Sequence, residues 1–484
     1  MRSNASDGLK RVLVVSYCYL PSEASSALQT VSLVRMLPKE GWKPSVLTVA
    51  PEWQYLPTNT DETPGADVKV IRTRHWKVLN AIERAGETGK LTKQDDSQKE
   101  SRKNGLASTD PEQHSTDMLS HRRLGMSLRG TVRSLYHGVR PTDADFLFPF
   151  FAVPKGYFAS RNSRHTAIYS IGKPFSSIVA GQVLASLLRL PHVIEFHDPW
   201  TLSPSYGGKG LIAWLEKRLE RWLVANADAV IAKTDAELRL LRDAHPGSAA
   251  RFFTVPCGFD ETRLPDPVTV SPPRSSSDGV IRIVHGGALS ERRSPVNFLL
   301  AVKKLLEDTP SLRDKLMVTF AGRFGLFEGY SLPEWCVRLG LSKTVDVTGW
   351  LLRENLYDLM ADADIFVVLP DNWHQIPAKI YEYLWFGRAI LVVCEEGSES
   401  AGLVRKHERG TLALRNDPDS IAKALYSLVE QCQTGPPRSA GDEALFPYSA
   451  RGRAKAVAEI LNSITKRVCR EASGEGSSKD PSHP

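Results

Sequence analysis

The strongest constraint in this chain is a rhythm. Short apolar runs of strand character alternate with helical segments, and the alternation runs twice, on either side of one break. "RVLVVS", "LQTVSLVRMLPKEGW" and "KPSVLTVA" read as strand, helix ending near Gly41, and strand within residues 11–50. A crossover helix between two strands makes them parallel neighbours. "HTAIYSIG", "FSSIVAGQVLASLLRL", "PHVIEFHD", "GLIAWLEKRLERWLVANA" and "DAVIAKT" continue the pattern. Wholly apolar strands separated by helices predict a parallel sheet covered on both faces, the doubly wound α/β class.

The break is "LPDPVTVSPPRSSSDG", residues 264–279, whose Pro and Ser content marks a linker. "VIRIVHGG", "VNFLLAVKKLLED", "KLMVTFAGR", "TVDVTGW", "ENLYDLMADA" and "DIFVVLPD" then restart the alternation. The expected organisation is a first domain over 1–263, a second over 280–445, a helix over 446–470 and a mobile tail over 471–484. The first domain is interrupted by a polar stretch around "TKQDDSQKESRKNG", expected to be a disordered insertion over 85–120.

A length of 484 residues suits roughly two or three such domains. No apolar run reaches the ~18 residues of a spanning helix. The first residues lack the apolar core of a signal peptide. Six scattered cysteines without a CxxC pair fit reduced thiols in a cytoplasmic protein, and neither a zinc ribbon nor a disulfide frame is expected. The net charge of +7 is modest, but residues 121–142 carry five arginines and no acid. Leu124, Leu128, Val132, Leu135 and Val139 share one helical face there. Such a helix suits a core-packed position with a solvated basic face, or an anionic membrane surface through 121–140. Only Tyr136 interleaves with the basic residues, so nucleic acid is not an expected partner.

The chemistry concentrates in "DIFVVLPDNWHQIPAKIYEYLWFGRAILVV". An apolar strand runs into a loop, then a helix with Pro377 at its first position and Gly387 just past its end, then another strand. The loop therefore lies at the carboxyl edge of the sheet, where open α/β sheets bind ligands. Free amides in the first helical turn bind phosphate oxygens. Lys379 adds a cation where the helix dipole disfavours one. Glu382, one turn on, can accept the two hydroxyls of a ribose, or the pair is a simple surface contact. A second element, "IRIVHGGALSERRSPVNFLLAV", points at the same edge. Gly286 and Gly287 allow close backbone approach, and Arg292 and Arg293 can neutralise a diphosphate.

These segments, with "VLVVSYCYLPSEASSALQ", "HVIEFHDPW", "VPCGFD" and "VDVTGW", resemble in order and spacing the family 4 retaining glycosyltransferases of GT-B fold. "SIGKPFSSIVAG" ahead of "HDPW" looks closest to bacterial members that build surface polysaccharides. The resemblance implies two Rossmann-like domains facing across a cleft, with the C-terminal helix returning to the first. It implies a nucleotide-diphosphate sugar as donor substrate, no cofactor or metal, and a saccharide or polyprenyl-linked acceptor. It implies a cytoplasmic protein, peripheral at the inner membrane face.

Residue by residue, it assigns Glu382 to the ribose, Arg293 and Lys379 to the diphosphate, and Thr348, Gly349 and Trp350 to the base. Gly287, Arg292, His374, Ile376 and Ala378 join the nucleotide-sugar site, and His197, with Asp198 beside it, faces the donor sugar. Three positions depart from the family pattern. His374 stands where the first glutamate of E-x7-E belongs, Ala288 where an arginine is common, and "SEASSA" where the first loop is glycine-rich. Asp198 also reads as an N-cap with Pro199 opening a helix. Two other classes of function fit these segments, a GT-B protein that binds a nucleotide or sugar without catalysis and a GT-B nucleotide-sugar epimerase.

Overall fold

The computed structural model describes residues 9–22, 24–54, 68–74, 145–265, 278–434 and 443–473, with 65 and 143 as single positions. The expected insertion over 85–120, the basic stretch 121–142, most of the linker and residues 474–484 of the expected tail lie outside the described residues, while 471–473 belong to the last helix rather than to a mobile tail. Among the described residues, seven strands build the first sheet: β1 (Lys10–Ser16), β2 (Trp42–Val49), β3 (Lys69–Thr73), β4 (Ala167–Gly172), β5 (His192–Phe196), β6 (Ala229–Ala232) and β7 (Arg251–Thr254). All pair in parallel, in the order β3-β2-β1-β4-β5-β6-β7. Six more build the second: β8 (Ile281–Gly286), β9 (Leu316–Ala321), β10 (Val345–Gly349), β11 (Ile365–Val368), β12 (Ala389–Cys394) and β13 (Gly410–Leu414), in the order β10-β9-β8-β11-β12-β13. Both orders reverse direction once, between β1 and β4 and between β8 and β11. The loops leaving those strands part to opposite faces there and open a crevice.

Side chains alternate across each strand, so each sheet has two cores. In the first, Leu13 and Val15 pack under α2 (Phe148–Ser163) and α3 (Ser176–Leu188). Ile194, Phe196 and Val230 pack under α3 and α4 (Gly210–Ala225) on the same side. Val12, Val14, Val193 and Ile231 face the other way, toward α1 (Ser25–Met36) and the last helix (Ala450–Ser473). The C-terminal helix therefore returns to the first sheet, as expected of the architecture. Its apolar face (Ala454, Val457, Leu461 and Ile464) lies in that core. Glu261 holds its start, accepting from the amides of Ala450 (2.7 Å) and Arg451 (3.1 Å), where a carboxylate also complements the helix dipole.

Local sequence sets the ends of these elements. Pro38 interrupts the first helix, which finishes as a 3-10 turn over Leu37–Glu40 and stops at Gly41 in the left-handed region. Pro377 does not open its helix as expected. The helix spans Lys379–Phe386, and the amides of Ile380 and Tyr381 bond only three residues back, to Pro377 and Ala378. Lys379 is thus the first helical residue. No helix among the described residues is long and apolar enough to cross a membrane.

The C-terminal helix delivers one charge into the core. Arg453 is buried, donating to the Gln29 carbonyl (2.9 Å) and to Glu195 (2.7 Å) on β5. Removing one partner of a buried pair strands the other charge, at a cost of about 3–5 kcal/mol. Arg453→Met should lose that much stability in urea unfolding, whereas Lys455→Met, on the exposed face, should lose less than about 0.5 kcal/mol. Equal, small losses would show that the buried contact does not hold this helix in place.

Candidate active site in the cleft between the sheets

The carboxyl ends of both sheets face one cleft of about 1020 Å³. Ser26, Gln29, Lys173, His197 and Lys233 line it from the first unit; Gly287, Arg293, Trp350, Ile376, Lys379 and Glu382 line it from the second. Its size suits a ligand larger than a single sugar.

Lys379 sits at the second switch point, between the ends of β8 and β11. Its Nζ lies 3.2 Å from His285 Nε2. The other ring nitrogen of His285 is 2.9 Å from the Val367 carbonyl, which only accepts, so Nδ1 carries the proton. Burial, with Lys379 and then Arg293 nearby, pushes His285 well below its ordinary pKa. The ring is therefore neutral, and its bare Nε2 accepts from Lys379. Burial and then the charge of Arg293 also lower Lys379 itself, to about 7, against the opposing pull of Glu382. The surface pairing of Lys379 with Glu382 is not what forms. Glu382 has Arg353 as its ion-pair partner, at 3.9 Å.

The glycines are fitted to this lysine. Gly287 has φ +126°, and a Cβ there would lie 2.6 Å from Lys379 Nζ. Gly322 has φ +155°, and a Cβ there would lie 2.1 Å from the Gly287 carbonyl oxygen. Tyr383, one turn after Lys379, stacks on Phe366 with ring centres 4.0 Å apart and contacts the Gly286 amide through its hydroxyl (2.8 Å). The glycine turn and the lysine helix are thus pinned together.

The remaining second-unit candidates divide. Arg293, Trp350, Ile376 and Ala378 line the cleft with Lys379 and Glu382. Arg292 turns to Asp371 (3.7 Å), and its carbonyl accepts from Arg415 (2.9 Å). Thr348 contacts the Phe320 carbonyl (3.4 Å), and the Gly349 carbonyl receives the Gly322 amide (2.7 Å), so both brace the loop from which Trp350 projects, 48% exposed. His374 is buried in the contact between units, not in the cleft wall. Its Nδ1 lies 3.4 Å from Glu237, and its carbonyl accepts from Thr234 (2.7 Å).

On the opposite wall, His197 Nε2 is 2.9 Å from Glu195 Oε1. A carboxylate only accepts, so Nε2 holds the ring proton. Burial and then Lys233 lower the pKa of His197, keeping the ring neutral and leaving Nδ1 as an acceptor. Asp198 does not cap a helix, because the next one starts at Gly210. It pairs with Lys173 (3.3 Å) and accepts from Gln375 of the other unit (2.7 Å). Beneath His197, fully buried Glu195 also receives Lys233, Arg453 and the Tyr169 hydroxyl. The two cations and His197 hold its carboxyl well below the usual range, against its burial.

Sequence reasoning missed Glu195, Lys233, His285 and Arg453. The first three had one readable signal, an ionisable residue inside or just past an otherwise apolar strand.

Comparison with known proteins follows the same division. A family model described as Glycosyltransferase Family 4 matches residues 107–263, and one described as Glycosyl transferases group 1 matches 281–431. D-inositol 3-phosphate glycosyltransferase of Nocardiopsis dassonvillei is 27% identical over 266 residues, 52% of this chain and 60% of that protein. The same-named protein of Thermobifida fusca is 28% identical over 219 residues, 44% of this chain and 50% of that one. The matches thus span only about half to three fifths of these relatives. Among solved structures, Anabaena Alr3699/HepE in complex with UDP superposes with a TM-score of 0.52 at 16% identity, covering 96% of this chain and 100% of that one. Sucrose-phosphate synthase of Thermosynechococcus elongatus gives 0.53 at 13% identity, covering 96% and 98%. At such identities these structures speak for the fold alone. With a glycosyltransferase model matching each sheet unit and this pair of facing Rossmann-like sheets, the chain has GT-B architecture and is similar to the family 4 glycosyltransferases.

Proposed function

We propose that this protein transfers a sugar, with retention at the anomeric carbon, from a nucleotide-diphosphate sugar to a saccharide or lipid-linked acceptor. The observation that carries the reading is Lys379. It is a cation half-buried at a switch point, beside a second cation, Arg293, on a neutral histidine. Two positive charges close together are costly unless an anion joins them, and a diphosphate supplies that anion.

In this reading Glu382 holds the ribose, Trp350 meets the base, and Ile376 and Ala378 shape the donor pocket. His197 takes a sugar hydroxyl through Nδ1, with Asp198 placing the Gln375 loop beside it. The leaving diphosphate gains charge as the glycosidic bond breaks, and Arg293 and Lys379 stabilise that charge in place. The acceptor hydroxyl attacks from the face the diphosphate leaves, and the diphosphate takes its proton. The proposed donor domain is 280–445 and the acceptor-side domain 1–263. A role in surface-polysaccharide synthesis, and membrane contact through 121–140, rest on the sequence resemblance and the basic stretch. UDP is the first base to test, because Anabaena HepE is described in complex with it.

Thermal unfolding of wild type and Glu382→Ala against UDP, GDP, ADP and CMP tests donor binding. A ligand at ~100 times its Kd adds about 2.7 kcal/mol, so one nucleotide should raise the wild-type Tm and not that of the variant. No shift with any of them would remove the donor site. With the matched donor and acceptor, Lys379→Ala and Arg293→Ala should each lower turnover about 10²- to 10³-fold with the fold retained. Product formed without acceptor would instead favour the epimerase, and binding without product the non-catalytic protein.

Lys379 also makes binding pH-dependent. Its pKa in the free protein is about 7, and a bound diphosphate raises it. Nucleotide binding near pH 8 should therefore take up a proton, seen by calorimetry in buffers of different ionisation enthalpy, and affinity should fall as pH rises above 7. Lys379→Met should abolish the lysine's share of the uptake. Uptake unchanged in that variant would mean that another group titrates.

A further inference from the structure

The first sheet is covered on one side by α2, α3 and α4, packed side by side. The outward side of this layer has an unusual composition. Leu211, Trp214, Leu215, Arg218 and Trp222 recur at helical spacing along α4 and are exposed, Leu211 at 70% and Trp214 at 52%. On α2, Phe150 and Phe158 are 73% and 67% exposed. The ionised groups between them are all of one sign: Lys155, Arg161, Lys217, Arg218 and Arg221 are exposed. The only acids in the three helices are Glu216 and Glu220, and both are buried. Glu216 receives the Tyr206 hydroxyl (2.6 Å), and Glu220 receives the Thr201 amide (2.7 Å).

A helix normally buries its apolar stripe and shows mixed charges to water. Here α4 points its carboxylates inward and its tryptophans outward. The Arg218 guanidinium lies 5.0 Å from the Trp214 ring centre, so cation and indole present one combined surface. Tryptophan beside arginine and lysine, with leucine between, is the composition of the bilayer interface.

We propose that the α2–α4 layer docks on an anionic lipid bilayer. Its basic residues meet the headgroups, and its tryptophans and phenylalanines enter the boundary below them. The partner follows from the charge: a carboxylate-free face complements a negative surface. The residues that form this surface are other than 121–142. The loop before α4 carries Ser205, which lines the cleft, so docking would bring the acceptor side of the cleft toward the bilayer.

Flotation of the full chain with phosphatidylcholine vesicles, with and without phosphatidylglycerol, tests this. Wild type should float with the anionic vesicles only, and less as salt rises. Trp214→Ala/Trp222→Ala and Arg218→Glu/Arg221→Glu should each lose most of the bound fraction while keeping the wild-type melting temperature. Flotation of both variants at the wild-type level would overturn the proposal and point to another surface. So would wild-type binding to nucleic acid or to a protein with none to anionic vesicles. The nucleotide-induced melting shift, read on the same samples, reports on the cleft alone, so failure of docking and failure of the transferase reading are separable.

Discussion

Much of the first unit hangs on one carboxylate. Glu195 lies at the end of β5, on the face it shares with Val193, where no water reaches it. A buried carboxylate is tolerable only when its lone pairs are filled and its charge is matched. Lys233 from the end of β6, Arg453 from the C-terminal helix, Tyr169 from β4 and His197 from the cleft edge do this together. The same side chain thus ties three neighbouring strands, the helix that arrives last in the chain, and the histidine that faces the ligand space. The C-terminal helix is more than an apolar lid. It carries the second cation that lets a charge sit under the cleft, and by holding Glu195 ionised it fixes which nitrogen of His197 bears the proton.

The second unit solves the opposite problem. Its cleft-facing charges are left in surplus. His285 is neutral, so it orients Lys379 without neutralising it. Arg293 adds a like charge, and Glu382 has Arg353 as its partner. Burial of Lys379 is strong enough to bring its pKa near neutrality, so the site is poised between two protonation states. In the proposed reading, a bound anion is what relieves this surplus of charge. A structural pair would have cancelled its charges locally, as Glu195 does on the other side.

The rhythm of strands and helices was legible because fully apolar strands joined by helical crossovers are buried parallel ones, and the two switch points follow from that topology. The loops with Lys379 and Arg293 could be found for the same reason: they leave the strands beside the switch. What escaped was whatever depended on residues far apart in sequence. Arg453 lies 258 positions from Glu195, and nothing local distinguishes it from a surface arginine. His285 looked like part of a glycine turn, although a histidine inside "IRIVHGG" has no place in an apolar strand unless both nitrogens are used. Gly322 was invisible because its constraint is the carbonyl of Gly287 on the neighbouring strand. Local rules failed where tertiary contacts took over. Pro377 sits ahead of its helix because the first turn bonds three residues back, and Asp198 spends its carboxylate on Lys173 and Gln375 instead of an amide.

The departure at "SEASSA" now has a physical meaning. Ala24, Ser25 and Ser26 line the cleft as the first helix begins, and Ala24 adopts φ −57°, which any residue can take. Glycine is not needed there for backbone reasons. What Ala24, Ser25 and Ser26 supply is smallness, so their stretch of the wall stays close to the backbone. The opposing wall carries Arg293, Lys379 and the side chain of Trp350. In the proposed reading, a bond broken across the cleft sends its electrons toward Arg293 and Lys379. The small N-terminal wall would leave room for an acceptor hydroxyl to approach without competing for those cations. In the proposed reading, the division of labour between donor and acceptor follows from which sheet's switch point keeps its charges paired and which does not.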